Sequence, residues 1–185
     1  MRTFLAAILL VSTLTVLSPA QTTPRAELFG GYSFLRVDAN PFNNFNLHGW
    51  QTSATVNATR WLGFTANFGG NYGNPEVVSG FNLRFNAHTF LFGPTFSYRN
   101  KSRVTPFTHA LFGVARGNGS VPLGITPGSV SLTDTSFAMA AGGGLDVHLN
   151  KIMATRLAQV DWVHTRLFGS TQNHVRVTTG LLFTF

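Results

Sequence analysis

The sequence predicts an all-β chain: an eight-stranded antiparallel up-and-down barrel that spans a membrane, preceded by a cleaved signal peptide. Three observations lead there. The first twenty residues have the plan of an export signal. Beyond them there is no run of roughly 18 uninterrupted apolar residues, so no helical span is expected, although 44% of the chain is hydrophobic. The remaining residues alternate bulky apolar with small or polar side chains over eight segments, joined by connections that are short and long in turn.

Arg2 supplies the positive start of the signal, residues 4–17 its apolar stretch, and Ser18-Pro19-Ala20 its small-x-small end. Cleavage after Ala20 divides the chain into residues 1–20, the signal, and 21–185, the barrel. An uncleaved anchor is the competing reading, but the stretch is short for a span. There is no cysteine, which excludes attachment of lipid at a thiol and any disulfide scaffold. An exported domain of this kind is held by backbone pairing and packing alone, which a closed barrel supplies.

Charged residues are only 10% of the chain, low for a water-solvated surface, while Phe (18) and Gly (19) abound, a pairing that strands tolerate better than helices. The net charge is +7 and falls to +6 once Arg2 is removed. Scattered basic residues argue against nucleic acid as a partner. Arg60, Arg99, Lys101, Arg103 and Lys151 instead gather at turns, where lipid phosphates would meet them.

The expected strands are 26–38, 46–58, 61–72, 84–99, 103–116, 132–149, 152–167 and 173–185, each longer than the ~9–11 residues a tilted crossing needs. Short turns fall at Thr59-Arg60, Asn100-Lys101-Ser102 and Asn150-Lys151; longer loops fall at 39–45, 73–83, 117–131 and 168–172. Short turns belong on the periplasmic side and long loops outside.

Within the strands the two faces differ. Val175, Val177, Leu181, Phe183 and Phe185 oppose Arg176, Thr178, Gly180 and Thr184; Phe137, Met139 and Leu145 oppose Asp134, Ser136, Gly142 and Asp146; Phe64 and Phe68 oppose Thr65 and Asn67. A soluble carrier barrel needs bulk inside and charge outside. This chain has too few charges to solvate an outer wall. Its large residues are therefore expected against lipid, with Gly, Ser, Thr, Asn and a few ions filling a narrow interior. The fifth segment has bulk on both faces and is not oriented by its pattern, and Pro106 within it suggests a bulge.

Glu27, Asp134, Asp146 and Asp161, with Arg156 and Arg176, lie on the polar face. Ions in a narrow lumen must pair. An odd-length turn centred on Lys151 would set Asp146 opposite Arg156, and Glu27 lies at the same height, so an internal network of Glu27, Asp146 and Arg156 is expected, joined further along the lumen by Asp161 and Arg176. It can act as a plug that holds the barrel closed, or as a gate or proton path. Arg156 and Asp161 differ in parity; if both point inward, one extra residue is absorbed near Leu157-Ala158 as a β-bulge. Trp61, Tyr98 and Trp162, with Tyr32, Trp50 and Tyr72, suit interfacial girdles.

No two of the six histidines share the spacing of a metal pair, and no motif joins His109 or His164 to a hydroxyl, so no catalytic, metal or cofactor site is expected and the chain is read as a non-enzyme.

Gly142-Gly143-Gly144-Leu145-Asp146, the following Ala154-Thr155-Arg156-Leu157, the terminal Leu182-Phe183-Thr184-Phe185 and the opening Glu27-Leu28-Phe29-Gly30-Gly31-Tyr32-Ser33 together resemble the barrel domain of OmpA/OmpX-like outer-membrane proteins. The resemblance implies a bacterial outer-membrane location, an ion network at Asp146 and Arg156, and recognition of Phe183 and Phe185 by the outer-membrane assembly machinery. It also implies contact with outer-membrane lipid and lipopolysaccharide. With the barrel ending at Phe185, no peptidoglycan-binding domain is expected. The functional expectation is a monomeric structural or surface-interaction protein whose outer loops are its contact surface. The alternatives are a narrow pore for small solutes and a lipid-modifying barrel enzyme.

Overall fold

In the computed structural model, residues 24–37, 45–74, 76–78, 81–82, 84–100, 102–122, 129–166 and 172–185 are described, with backbone alone at 76–78, 81–82, 121–122 and 129–130. The expected signal, residues 1–20, Lys101, and the loop segments 38–44, 123–128 and 167–171 lie outside them.

Alternating β-branched, aromatic and small residues give eight long strands: β1 (Ala26–Val37), β2 (Phe45–Asn57), β3 (Leu62–Gly73), β4 (Arg84–Ser97), β5 (Val104–Pro122), β6 (Ser129–His148), β7 (Met153–Thr165) and β8 (Gln172–Thr184). They pair antiparallel in chain order and β8 closes on β1, from Glu27↔Thr184 to Val37↔His174. Facing residues traced from Glu27 through Thr55, Thr65, Gly93, Leu111, Ala140, Val163 and His174 return to β1 at Val37. The sheet thus closes with a stagger of ten residues over eight strands, which tilts the strands and leaves an interior that side chains can fill.

Side chains shape the tight turns. The Thr59 hydroxyl accepts from the backbone N–H of Trp61 (3.3 Å) and Leu62 (3.0 Å). The Asn100 side-chain oxygen accepts from Ser102 (2.7 Å), and that of Asn150 from Ile152 (2.8 Å) and Met153 (2.7 Å).

Large apolar residues face outward: Phe64 is 59% exposed, Phe137 54% and Phe183 41%. A surface of this kind suits hydrocarbon, and barrel closure leaves no strand edge within it. The continuous ladders also orient β5. Thr105, Phe107, His109 and Leu111 point inward, while Val104, Phe112 and Val114 point out.

Three expectations need correction. β5 and β6 do not end near Arg116 and Leu132 but pair onward to Pro122↔Ser129, so Gly117–Pro122 and Ser129–Ser131 are strand rather than loop. The two strands carry enough small and β-branched residues there to continue the ladder above the rim. The 73–83 connection likewise holds a small ribbon, Glu76–Val78 with Phe81–Asn82.

Pro106 makes no bulge: the β5–β6 register is unbroken from Val104↔Val147 onward. Its carbonyl accepts from Tyr98 N–H (2.9 Å), one residue past the end of β4, so its missing donor falls at the ladder's end. The interruption falls instead at Gly93-Pro94, which the β4–β5 ladder skips before resuming in register at Thr95↔His109.

The lumen is also less uniformly polar than expected. Its long-loop half holds Leu35, Val37, Leu47, Leu91, Leu111 and Val163 with small alanines, beside the buried polar Asn71, Thr89, Thr165 and His174; the half nearer the short turns is more fully polar. Inward Leu and Val fill space there that no counter-ion is available to share.

Boiling in detergent should shift migration of the extracted protein on a gel, as a closed barrel resists unfolding at room temperature. Identical mobility before and after boiling would count heavily against closure.

Candidate functional site

The residues that could carry function converge inside the barrel. Asp146 on β6 and Arg156 on β7 are direct ladder partners across the tight turn. The Arg156 guanidinium donates to both Asp146 carboxylate oxygens, at 2.7 and 2.9 Å, a two-pronged geometry that suits a planar cation and a carboxylate. One residue further along β7 the register slips. Thr178 faces Gln159 while Gly180 faces Arg156, and on the other side Leu145 faces Ala158 while Asp146 faces Arg156. Leu157 and Ala158 both face outward, and this bulge puts Arg156, Gln159 and Asp161 all inside.

Gln159 then links the two ion pairs. Its side-chain oxygen accepts from Arg156 (2.7 Å) and its amide donates to Asp161 (2.7 Å). Asp161, fully buried, accepts from Arg176 at 2.8 and 3.0 Å and pairs with His109 Nε2 at 3.0 Å. Arg176, 2% exposed, extends from β8 across the lumen towards Gly69 on β3. Nearby hydroxyls join the walls: Thr55, Thr65 and Thr95 form a chain at 2.7 Å per step, and Thr178 donates to Gln51 at 2.7 Å.

Glu27 does not join Arg156. It pairs with Arg99 and accepts from Asn57 (3.0 Å), at the short-turn end of the lumen. Arg99 follows β4, and its side chain turns back inside rather than towards the membrane surface, also donating to Asn57 (3.1 Å) and to the Arg60 carbonyl (2.9 Å). The expectation that Arg99 reaches lipid phosphates is overturned by this inward partner.

Phe29 and Phe107, both buried, flank the Arg156 guanidinium, with ring centres 4.4 and 4.0 Å from its carbon. Glycines make room for these rings. A Cβ on Gly31 would lie 2.1 Å from the Thr179 carbonyl oxygen and 2.8 Å from the Phe29 ring, and one on Gly144 would lie 2.4 Å from the Ala158 carbonyl oxygen and 2.9 Å from the Phe107 ring. Alternation signals neither pairing, because each joins an aromatic to a glycine on inward positions meant for small residues.

Trp61 and Tyr98 project outward beside the short turns, Trp61 stacked on Phe96, and Trp162 projects outward towards the long-loop end. Phe183 and Phe185 face outward on the last strand. Among the described residues no three His, Cys, Asp or Glu side chains converge as a metal site, and His109 has no hydroxyl partner.

No family model matches the chain, and no curated protein does. Solved structures do. The attachment invasion locus protein Ail of Yersinia pestis is 16% identical, covering 88% of this chain and 99% of its own, with a TM-score of 0.64. The same protein in complex with the heparin analogue sucrose octasulfate gives 18%, 88%, 99% and 0.66. Neisserial surface protein A is 11% identical over 86% of this chain and 97% of its own (TM-score 0.60). At this identity the likeness is one of fold: the chain has the fold of the eight-stranded outer-membrane barrels.

Replacing Arg156 by Ala should leave Asp146 buried without its partner and cost about 3–5 kcal/mol in urea unfolding from detergent, with the Asp146→Asn/Arg156→Ala double variant recovering part of it. Gly144→Val, whose side chain would press on the Ala158 carbonyl as well as the Phe107 ring, should cost at least about 1–3 kcal/mol in the same assay.

Proposed function

We propose that this chain is a bacterial outer-membrane barrel, sealed along its lumen, that works through the surface at its long-loop end. The observation that carries the proposal is the filled interior. The column Asp146–Arg156–Gln159–Asp161–Arg176 crosses the lumen, and the voids beside it are about 10 Å³ near Glu27 and Arg156 and about 20 Å³ near Arg176 and Val163. Voids of that size hold a water or two and do not make a path. On this reading the ion network is a plug rather than a gate.

The contact surface is built mainly by β5 and β6. Beyond Arg116 their ribbon runs six more residues to Pro122, about 20 Å of strand, with β4 paired along its first part as far as Arg84↔Ser120. The solved neighbours are described as an attachment and invasion protein and a surface protein, one of them bound to a sulfated sugar analogue, which supports a contact role here.

The reading includes export by residues 1–20 and their removal. Phe183 and Phe185 then serve as the outward aromatic signal for outer-membrane assembly, and the barrel works as a single chain. Trp61 and Tyr98 mark one membrane boundary, with Tyr72 and Trp162 at the other. Eleven residues of tilted chain separate Trp61 from Tyr72, about 25–30 Å of height, which matches the apolar band of outer-membrane barrels. A lipid-modifying enzyme is disfavoured because His109 and Asp161 meet inside the barrel, away from lipid.

Planar-bilayer recordings test the seal. The wild-type barrel should give no long-lived openings, and Arg176→Ala should introduce flickering ones. Stable unitary conductance of the wild type would replace the plug by the narrow-pore reading.

A further inference from the structure

Outward-facing residues near the long-loop end form a pattern that the lumen does not explain. Three histidines face out there: His48 on β2, His88 on β4 and His164 on β7. Each is held in place by a neighbour. Tyr32 hydrogen-bonds His48 Nδ1, Tyr72 meets His88 Nε2 at 3.2 Å, and His164 Nδ1 meets Asn173 at 2.8 Å. A stagger of ten residues over eight strands means that constant height is kept by stepping about 1.25 residues per strand. Applied to the ladder registers, this puts the three histidines within about one residue of a single level, and Arg36, Arg116 and Arg166 within about two residues above it.

The six fall into three pairs around the wall. Arg116 is the ladder partner of His88. Arg36 lies diagonally across from His48 on β1 and β2, and Arg166 follows His164 by two residues on the same face of the chain. All three arginines are exposed, and among the described residues none has an ion-pair partner. Described acidic side chains lie on inward positions: Glu27, Asp146 and Asp161 are paired inside and Asp134 has the same parity. Among the described residues, therefore, no outward carboxylate neutralises these arginines.

We propose that these His–Arg pairs form a collar that binds the phosphate groups of a phosphorylated glycolipid in the outer leaflet. The inference rests on the outer-membrane reading above. The level lies at the upper edge of the apolar band, within about one residue of Tyr72, where headgroups meet acyl chains. The arginines supply charge and forked donors, and the histidines and tyrosines below them supply further polar contacts beside the aromatic faces that meet the chains.

The test uses the full barrel folded in zwitterionic micelles, titrated with bis-phosphorylated lipid A, with its dephosphorylated form, and with inorganic phosphate. The wild type should bind the phosphorylated lipid. The Arg36→Gln/Arg116→Gln/Arg166→Gln variant should bind it about a hundredfold more weakly, since each basic residue at an anionic membrane surface contributes roughly fivefold. Dephosphorylation of the lipid should weaken wild-type binding comparably. Arg103→Gln/Lys151→Gln, at the short-turn end and outside the collar, should lose only a few-fold of that affinity. Full affinity in the triple variant, an equal loss in the short-turn variant, or inorganic phosphate binding as tightly as the lipid would each overturn the collar. Heat-modified migration of every variant reports folding. Its absence in the wild type would overturn the membrane-barrel reading itself, a result distinct from failure of the collar.

Discussion

Everything in this molecule follows from one constraint: a backbone in hydrocarbon cannot leave a donor or acceptor unpaired. Eight strands meet it by closing, and closure with a ten-residue stagger fixes how wide the lumen is. The lumen is narrow enough for side chains to fill, so an ion that faces it needs its partner within the barrel. The ion column is the result. Asp146 answers Arg156, Asp161 answers Arg176, and Gln159 shares its two ends between them.

Much of this was legible in the sequence, because alternation reads which wall a residue faces. The lipid-facing Phe64, Phe137 and Phe183 follow from it directly. The clash in parity between Arg156 and Asp161 located the slip at Leu157-Ala158 before any register was known. The residues that escaped lie where periodicity carries no information. Arg99 sits past the end of β4, where no alternation constrains a side chain, so its return to Glu27 could not be read from spacing. Phe29 and Phe107 sit on inward positions, and only their fit over Gly31 and Gly144 explains bulk there. The ladder beyond Arg116 is rich in Gly and Pro, which read as loop although pairing continues through Pro122.

The lumen is divided along its length. Ions and hydroxyls dominate the half nearer the short turns, and leucine, valine and alanine share the half nearer the long loops with Asn71, Thr89, Thr165 and His174. The apolar half keeps water from the Asp161–Arg176 pair on its side, which strengthens that pair in a low local dielectric. The described carboxylates take inward positions, so among the described residues Arg36, Arg116 and Arg166 have no ion-pair partner on the outer wall.

The aromatic clamp on Arg156 bears on how the barrel comes together. Its two rings come from β1 and β5, and the arginine itself from β7, strands far apart in the chain. The hairpin that carries Arg156 supplies Asp146 and Gln159, but the two rings arrive only with β1 and β5. The clamp is therefore complete only in the closed cylinder, where the seam of β1 against β8 brings Phe29 to the arginine.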